Sequence, residues 1–354
     1  MIYVTFIICF IASLLLTPLV KKFAIKIGAT DKPNARKVHE KIMPRLGGLA
    51  IFISFLIGFL ILTPDSSYAW PILIGAFIIV ITGVLDDMYE LSALIKLTGQ
   101  IAAAVVVITG GLYVEFINLP FDGVLQLGIL GIPLTLLWIV GVTNAINLID
   151  GLDGLASGVS SIVLLTITII AAMKGDLFIV ALASILLASN LGFLFFNFYP
   201  AKIFMGDTGA LFLGYMISVI SLLGFKSITL YSLLIPVVIL AVPISDTLFA
   251  IIRRLVNKQP LSAPDKSHLH HCLLRLGFSH RTTVLIIYGI SAIFSVSAIL
   301  LTQATLWVSL FIVVFVILAV QLIAELVGLI NGKYRPMLNF ISKVTNITMA
   351  KMKS

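Results

Sequence analysis

The sequence predicts an all-α integral membrane protein of about eleven transmembrane helices, N-terminus outside and C-terminus cytoplasmic. Three observations carry this reading. The 354 residues are 60% hydrophobic and 11% charged, with a mean hydropathy of +1.18. Apolar runs of about 17–25 residues recur along the chain, each long enough to cross a hydrocarbon core as a helix. Of the 23 lysines and arginines, 21 fall in loops that such a set of spans places on one side. Lys and Arg favour the cytoplasmic side, which sets the orientation.

In order, the spans are expected at 2–20, 47–63, 69–85, 97–114, 128–143, 158–173, 177–196, 209–225, 229–252, 283–302 and 306–330. The first lacks a basic leader and a small-residue cleavage site, so it reads as a retained helix rather than a signal peptide. Cys9 falls in that span and Cys272 in an inner loop, which makes a structural disulfide improbable. The net charge of +8 reflects loop retention and attraction to anionic headgroups. Nucleic acid is not expected as a partner, because no soluble domain presents a groove. The whole chain, 1–354, reads as one membrane domain. Its chemistry is concentrated in inner loops near 21–46, 86–96, 144–157, 197–208 and 253–282.

Those loops carry an uneven share of polar residues. Asp86 and Asp87 end the third span, where carboxylates oppose the helix macrodipole unless something positive meets them. Lys96 follows ten residues later and is placed either to cap a helix or to reach a phosphate. In NAINLIDGLDG, Asn147, Asp150 and Asp153 recur every three residues. If the segment is helical they share an arc of about 120° and converge on one point. IFMGDTGAL sets Asp207 between glycines ahead of the eighth span, a position suited to an N-cap, a metal ligand or both. All five histidines lie in inner loops. The HLHH run, His268, His270 and His271, lacks the second Cys/His cluster of a tetrahedral zinc site. These residues suit donation to phosphate oxygens better. Asp246, seven residues before Arg253, reads as a structural partner for a neighbouring basic group. Glu325 reads as an intramembrane acid with no evident partner.

Carboxylate and amide oxygens without thiolates favour a hard cation, magnesium or manganese. With Arg, Lys and His nearby, the set suits phosphoryl or phosphoglycosyl transfer between a soluble substrate and a lipid one. A transporter would instead place ionisable groups along the spans.

Five ordered stretches carry a resemblance: DKPNARKVHEKIMPRLGG, DDMYEL, NAINLIDGLDGLA, FNFYPAKIFMGDTGAL and SHLHHCLLRLG. The chain resembles the polyprenyl-phosphate N-acetylhexosamine-1-phosphate transferases, especially the branch that starts wall teichoic acid. The resemblance implies Mg2+-dependent transfer of GlcNAc-1-phosphate from UDP-GlcNAc to undecaprenyl phosphate with release of UMP. It allows a homodimer. By motif position it makes Asn147 and Asp207 metal ligands, and it lines the uridine pocket with Asp153, Asn197, Phe204 and Gly206. It sets Asp86, Asp87 and Lys96 against the lipid phosphate and the reacting diphosphate. His268, His270 and His271, with Arg45, would handle diphosphate or sugar, and Asp150 joins the catalytic set without a defined role. Two departures stand out: Glu90 where relatives often carry aspartate, and Lys266 where they often carry arginine. The nearest alternative is a UDP-MurNAc-pentapeptide phosphotransferase, against which HLHH and PRLGG argue. A lipid-linked sugar transporter is the alternative from another class.

Overall fold

A computed structural model describes residues 1–31, 42–118, 123–225, 230–260, 265, 267–329, 335–340 and 342. The stretch 32–41, with most of the DKPNARKVHEK run and His39, lies outside the described residues, as does Lys266. The fold is almost entirely helical. Among the described residues eight helices are long and apolar enough to cross a membrane, with shorter apolar helices at Gly47–Leu62 (α2) and Ala93–Thr109 (α4). The eight are α1 (Ile2–Ile27), α3 (Ala69–Tyr89), α5 (Gly131–Ile149, led by a 3-10 turn), α6 (Leu155–Lys174), α7 (Leu177–Asn197), α8 (Gly206–Phe225), α12 (His280–Leu301) and α13 (Leu306–Val327). Two short antiparallel hairpins pair Thr30–Asp31 with Met43–Pro44 and Phe116–Asn118 with Val124–Gln126.

Helix boundaries follow the caps. α4 begins four residues before the expected span because the Ser92 hydroxyl accepts from the Ile95 N–H, a standard N-cap. Lys96 therefore sits on the helix rather than in the loop before it. α12 is capped in the same way by Ser279, and α13 stops at Gly328 in the left-handed region. The expected span 229–252 is two helices, α9 (Leu230–Ile239) and α10 (Ala241–Val256), broken at Leu240. Pro243 explains the break: it has no N–H for the Ile239 carbonyl, and its ring crowds that carbonyl.

α8 is the centre of the molecule, buried along nearly its whole length, and packs against α2, α3 and α5. Tyr215, Phe212 and Leu213 lie at its core, and Phe212 meets Phe52 and Phe55 of α2 edge-on. Small residues let the backbones approach, as helices in lipid require. A Cβ on Gly48 would lie 2.0 Å from the Gly209 nitrogen, and one on Gly83 would lie 2.4 Å from Thr208 Cα. These contacts bring the start of α2 and the end of α3 against the first turn of α8.

Candidate active site

The ends of α3, α4 and α5 meet the start of α8, and there the sequence motifs converge. Lys96 Nζ lies 3.2 Å from Asp86 Oδ2 and 2.8 Å from Asp207 Oδ2. Asn147 Nδ2 donates to Asp207 Oδ1 at 3.2 Å. Arg45 lies across the cluster, with Nε 3.4 Å from Asp87 and Nη2 3.9 Å from Asp207. Burial works against the Arg45 charge, but Asp87, Asp207, Asp31 and Asp86 outweigh it and raise its pKa.

The two adjacent aspartates have different surroundings. Asp87 is buried with both oxygens engaged. Oδ1 accepts from the Asp207 N–H at 2.9 Å, and Oδ2 accepts from the Thr208 N–H at 3.0 Å and the Thr208 hydroxyl at 2.6 Å. Asp87 thus caps α8 from a neighbouring helix, and the positive end of α8 supplies the partner that its place at the end of α3 demands. Gly206, at φ 70, carries the chain past it; a Cβ there would lie 2.4 Å from Asp87 Oδ2. Asp207 itself sits in the first turn of α8 and its side chain remains available to the site. Asp86 and Asp207 share the Lys96 ammonium, and Asp86 Oδ1 is buried without a donor among the described residues.

That arrangement fits a divalent cation. Asp86, Asp87 and Asp207 meet the charges of Arg45 and Lys96, one carboxylate more than the two cations. The buried, undonated oxygen of Asp86 points to the same deficit. Asn147 and Asp207 offer an amide and a carboxylate, the donor types that magnesium or manganese takes.

NAINLIDGLDG is not one helix. α5 ends at Ile149, Asp150 leaves it at φ −76, ψ 52, and α6 starts after Gly154 at φ 76. The three polar residues therefore do not converge by helical periodicity: Asn147 faces Asp207, while the Asp153 carboxylate accepts from the Ala201 N–H at 2.9 Å. Asp150 is half-buried at the turn. Burial first, then the Asp207 charge, pushes its pKa up to about 7.

Asn197 is buried and spends its amide on the scaffold. Its oxygen accepts from the Gly154 N–H and the Ser157 hydroxyl, and its nitrogen donates to the Ile203 carbonyl at 3.0 Å. It ties the DGLDG turn to the loop between α7 and α8. Phe204 is held by its backbone: its N–H donates to Pro44 and its carbonyl accepts from Gly47. Tyr199 lies against His280 with ring centroids 4.5 Å apart and planes tilted by 31°, and the Tyr288 hydroxyl donates to the Gly154 carbonyl.

His268 is not on the same helix as its neighbours. It is the N-cap of α11 (Leu269–Arg275), at φ −63, ψ 156, and its ring lies parallel to that of His270 with centroids 6.0 Å apart. His270 is buried against the DGLDG turn, where a Cβ on Gly151 would lie 2.3 Å from its Nε2. Burial, with the neighbouring His271, lowers the His270 pKa to about 3, so this ring is neutral and joins α11 to the turn beside Asp150. His271 is half-buried on the first turn of α11, and burial lowers its pKa as well.

Three features escaped sequence reasoning. Thr208 completes the Asp87 cap and stands beside Asp207 in GDTG, where a hydroxyl after a capping acid is a signal. Asp265 binds Arg253 Nη2 at 2.6 Å and the Ser267 N–H at 2.8 Å; its place three residues before HLHH was the clue. Glu325 has partners: Gln321 and the N–H groups of Met337 and Leu338. It caps the segment that follows rather than standing alone in a span. Glu90 is exposed at the left-handed C-cap of α3 and takes no part in the cluster.

The model of glycosyl transferase family 4 matches residues 69–225, the stretch from α3 to α8 that builds this cluster. Over 348 residues, 97% of each chain, the sequence is 55% identical to the probable undecaprenyl-phosphate N-acetylglucosaminyl 1-phosphate transferase of Bacillus subtilis. It is 38% identical to the decaprenyl-phosphate N-acetylglucosaminephosphotransferase of Mycolicibacterium smegmatis, over 76% of this chain and 74% of that one. Against the undecaprenyl-phosphate alpha-N-acetylglucosaminyl 1-phosphate transferase of Escherichia coli K12 the identity is 31%, over 75% of each chain. With relatives of this similarity and the shared motifs gathered at the head of α8, the chain belongs to the polyprenyl-phosphate N-acetylhexosamine-1-phosphate transferase family.

Proposed function

We propose that this enzyme transfers GlcNAc-1-phosphate from UDP-GlcNAc to undecaprenyl phosphate on the cytoplasmic face of the plasma membrane. UMP leaves, and the product starts a lipid-linked envelope glycan of the wall teichoic acid type. The observation that carries the reading is the convergence of Asp86, Lys96, Asn147 and Asp207 at one point, bounded by Arg45. The names of the relatives supply the acceptor and the transferred group, and the family resemblance supplies UDP as the carrier of that group.

Asn147 and Asp207 would hold Mg2+, which supplies charge neutralisation for the departing UMP. The protein's own groups do the rest. A phosphate monoester has a second pKa near about 6, so the lipid phosphate is already largely dianionic at neutral pH. The main obstacle is repulsion between two anions, which Lys96 and Arg45 offset. An oxygen of the lipid phosphate attacks the β-phosphorus, and the bond from that phosphorus to the bridging oxygen breaks. Asp86, paired with Lys96, holds that ammonium toward the acceptor, whereas both oxygens of Asp87 are engaged in capping α8. Asp153 and the loop from Tyr199 to Gly206 form the side on which uridine would lie.

The test offers purified protein UDP-GlcNAc, UDP-GalNAc and UDP-MurNAc-pentapeptide, each with undecaprenyl phosphate and Mg2+. UMP release from UDP-GlcNAc is expected. Release from the pentapeptide substrate alone would overturn the reading.

A further inference from the structure

α10 carries Asp246 and Arg253 seven residues apart, hence on one face, and both are buried. Each is committed to the segment that leads into the HLHH run. Asp246 Oδ2 lies 2.9 Å from His268 Nδ1, while Asp246 Oδ1 accepts from the Leu269 N–H at 2.8 Å. Arg253 holds Asp265 through Nε and Nη2 and gives Nη1 to the Leu329 carbonyl at the end of α13. Asp265 in turn accepts from the Ser267 N–H. Asp265 and Ser267 before His268, and Leu269 after it, are therefore tied to a single helix face, which is itself tied to the end of α13.

We propose that Asp246 is a positioning residue that acts through His268, holding the ring by Nδ1 so that Nε2 is directed at a phosphate oxygen of the nucleoside diphosphate substrate. This rests on the transfer reading above. The geometry is that of a carboxylate that fixes both the tautomer and the orientation of an imidazole. With its Nδ1–H donated to the Asp246 carboxylate, the ring can donate from Nε2 to a phosphate oxygen only when both nitrogens carry protons, which also gives it the charge that a phosphate takes. His270, parallel to His268, reaches Gly151 next to Asp150, which sets the HLHH run beside the turn at the cluster. Arg253, with three nitrogens committed, serves the same segment and does not reach substrate.

The Asp246→Asn variant separates orientation from capping. Its amide oxygen still accepts from Leu269, while its NH2 group faces Nδ1, so the ring can donate from Nε2 only as the neutral imidazole and the charge-assisted contact with phosphate is lost. The readout is UMP release by the full-length protein with UDP-GlcNAc, undecaprenyl phosphate and Mg2+. Asp246→Asn is expected to lower kcat roughly tenfold or more, as loss of a charge-assisted contact would, with KM for UDP-GlcNAc changed less than about threefold. Asp246→Glu is expected to recover most of the rate. In a His268→Asn background, Asp246→Asn should cost nothing further, because a residue acting through His268 has no effect without it.

An equal loss in both backgrounds, or wild-type kcat in Asp246→Asn, overturns the inference. If neither Asp246 variant folds, His268→Asn carries the test, since its amide keeps the Asp246 contact and removes Nε2. Lost turnover with unchanged melting is then expected, and turnover within about threefold of wild type overturns the inference. Wild-type protein that releases no UMP overturns the transfer reading first, which distinguishes the two failures.

Discussion

Asp87 and Thr208 join two helices that are distant in sequence: the Asp87 carboxylate accepts from both the amide and the hydroxyl of Thr208, at 3.0 and 2.6 Å. The contact sets where the first turn of α8, and with it Asp207, stands relative to Asp86. Two neighbouring aspartates at the end of α3 thereby divide their work. Asp87 builds the site and Asp86 faces into it.

Removing the cap should loosen the fold as well as the site. Asp87→Ala leaves the Asp207 and Thr208 N–H groups unpaired and Arg45 without its nearest carboxylate. It is expected to cost about 3 kcal/mol. Thr208→Val removes only the hydroxyl contact and is expected to cost about 1 kcal/mol. Thermal unfolding in detergent checks the ranking; equal melting of Asp87→Ala and wild type would contradict the cap.

Asp150 makes a pH-dependent prediction for the metal-free protein. Its pKa in the fold is about 7, against the ordinary value of 3.8. Between these limits the folded state holds a proton that the unfolded state has lost, so this group destabilises the fold increasingly as pH rises from about 4 to about 7. Asp150→Asn removes that contribution. Solvent screens part of the effect at this half-buried side chain, leaving a gain of roughly 1–2 kcal/mol at pH 8 and almost none at pH 4. Unfolding in chelator at the two pH values tests it, and a gain independent of pH would contradict it.

The contact between Gly151 and His270 is steric and should respond to compensation. A methyl group at 151 would lie 2.3 Å from His270 Nε2, so Gly151→Ala must displace α11 or the DGLDG turn. Turnover is expected to fall at least tenfold, as small misplacements of catalytic groups do. Gly151→Ala combined with His270→Ala is expected to regain part of it. A double variant no better than the single one would place the cause elsewhere.

Direct attack by the lipid phosphate forbids partial reactions. With UDP-GlcNAc, Mg2+ and labelled UMP but no lipid, no label is expected to enter UDP-GlcNAc. Exchange at a rate comparable with turnover would show instead an aspartate that forms an acyl-phosphate.

The helical membrane architecture was legible because apolar length reports it directly. Most spans were placed within a few residues, and the exceptions have local causes. Pro243 breaks the run 229–252, and Ser92 draws α4 four residues toward the N-terminus. The residues of the site were legible as types in motifs, since carboxylates have few reasons to gather in so apolar a chain. Their roles were less so. Nothing in DDMYEL distinguishes the capping acid from the site-facing one, because the difference is made by Thr208, 121 residues away. The even spacing of Asn147, Asp150 and Asp153 suggests one helix, but α5 ends at Ile149 and Gly154, in the left-handed region, starts α6. Asp246 read as structural from its sequence, and only the return of the chain after α10 places His268 on it.

The claim at the centre of this account is that Asp207, positioned by Asp87 and flanked by Asn147 and Lys96, holds the metal that the transfer requires. The most direct measurement is UMP release against Mg2+ concentration for wild type and Asp207→Ala, with thermal unfolding on the same samples. The account predicts Mg2+-dependent release by wild type and a loss of at least about a thousandfold in the variant, which still unfolds cooperatively. Near-normal, Mg2+-dependent release by Asp207→Ala would contradict it.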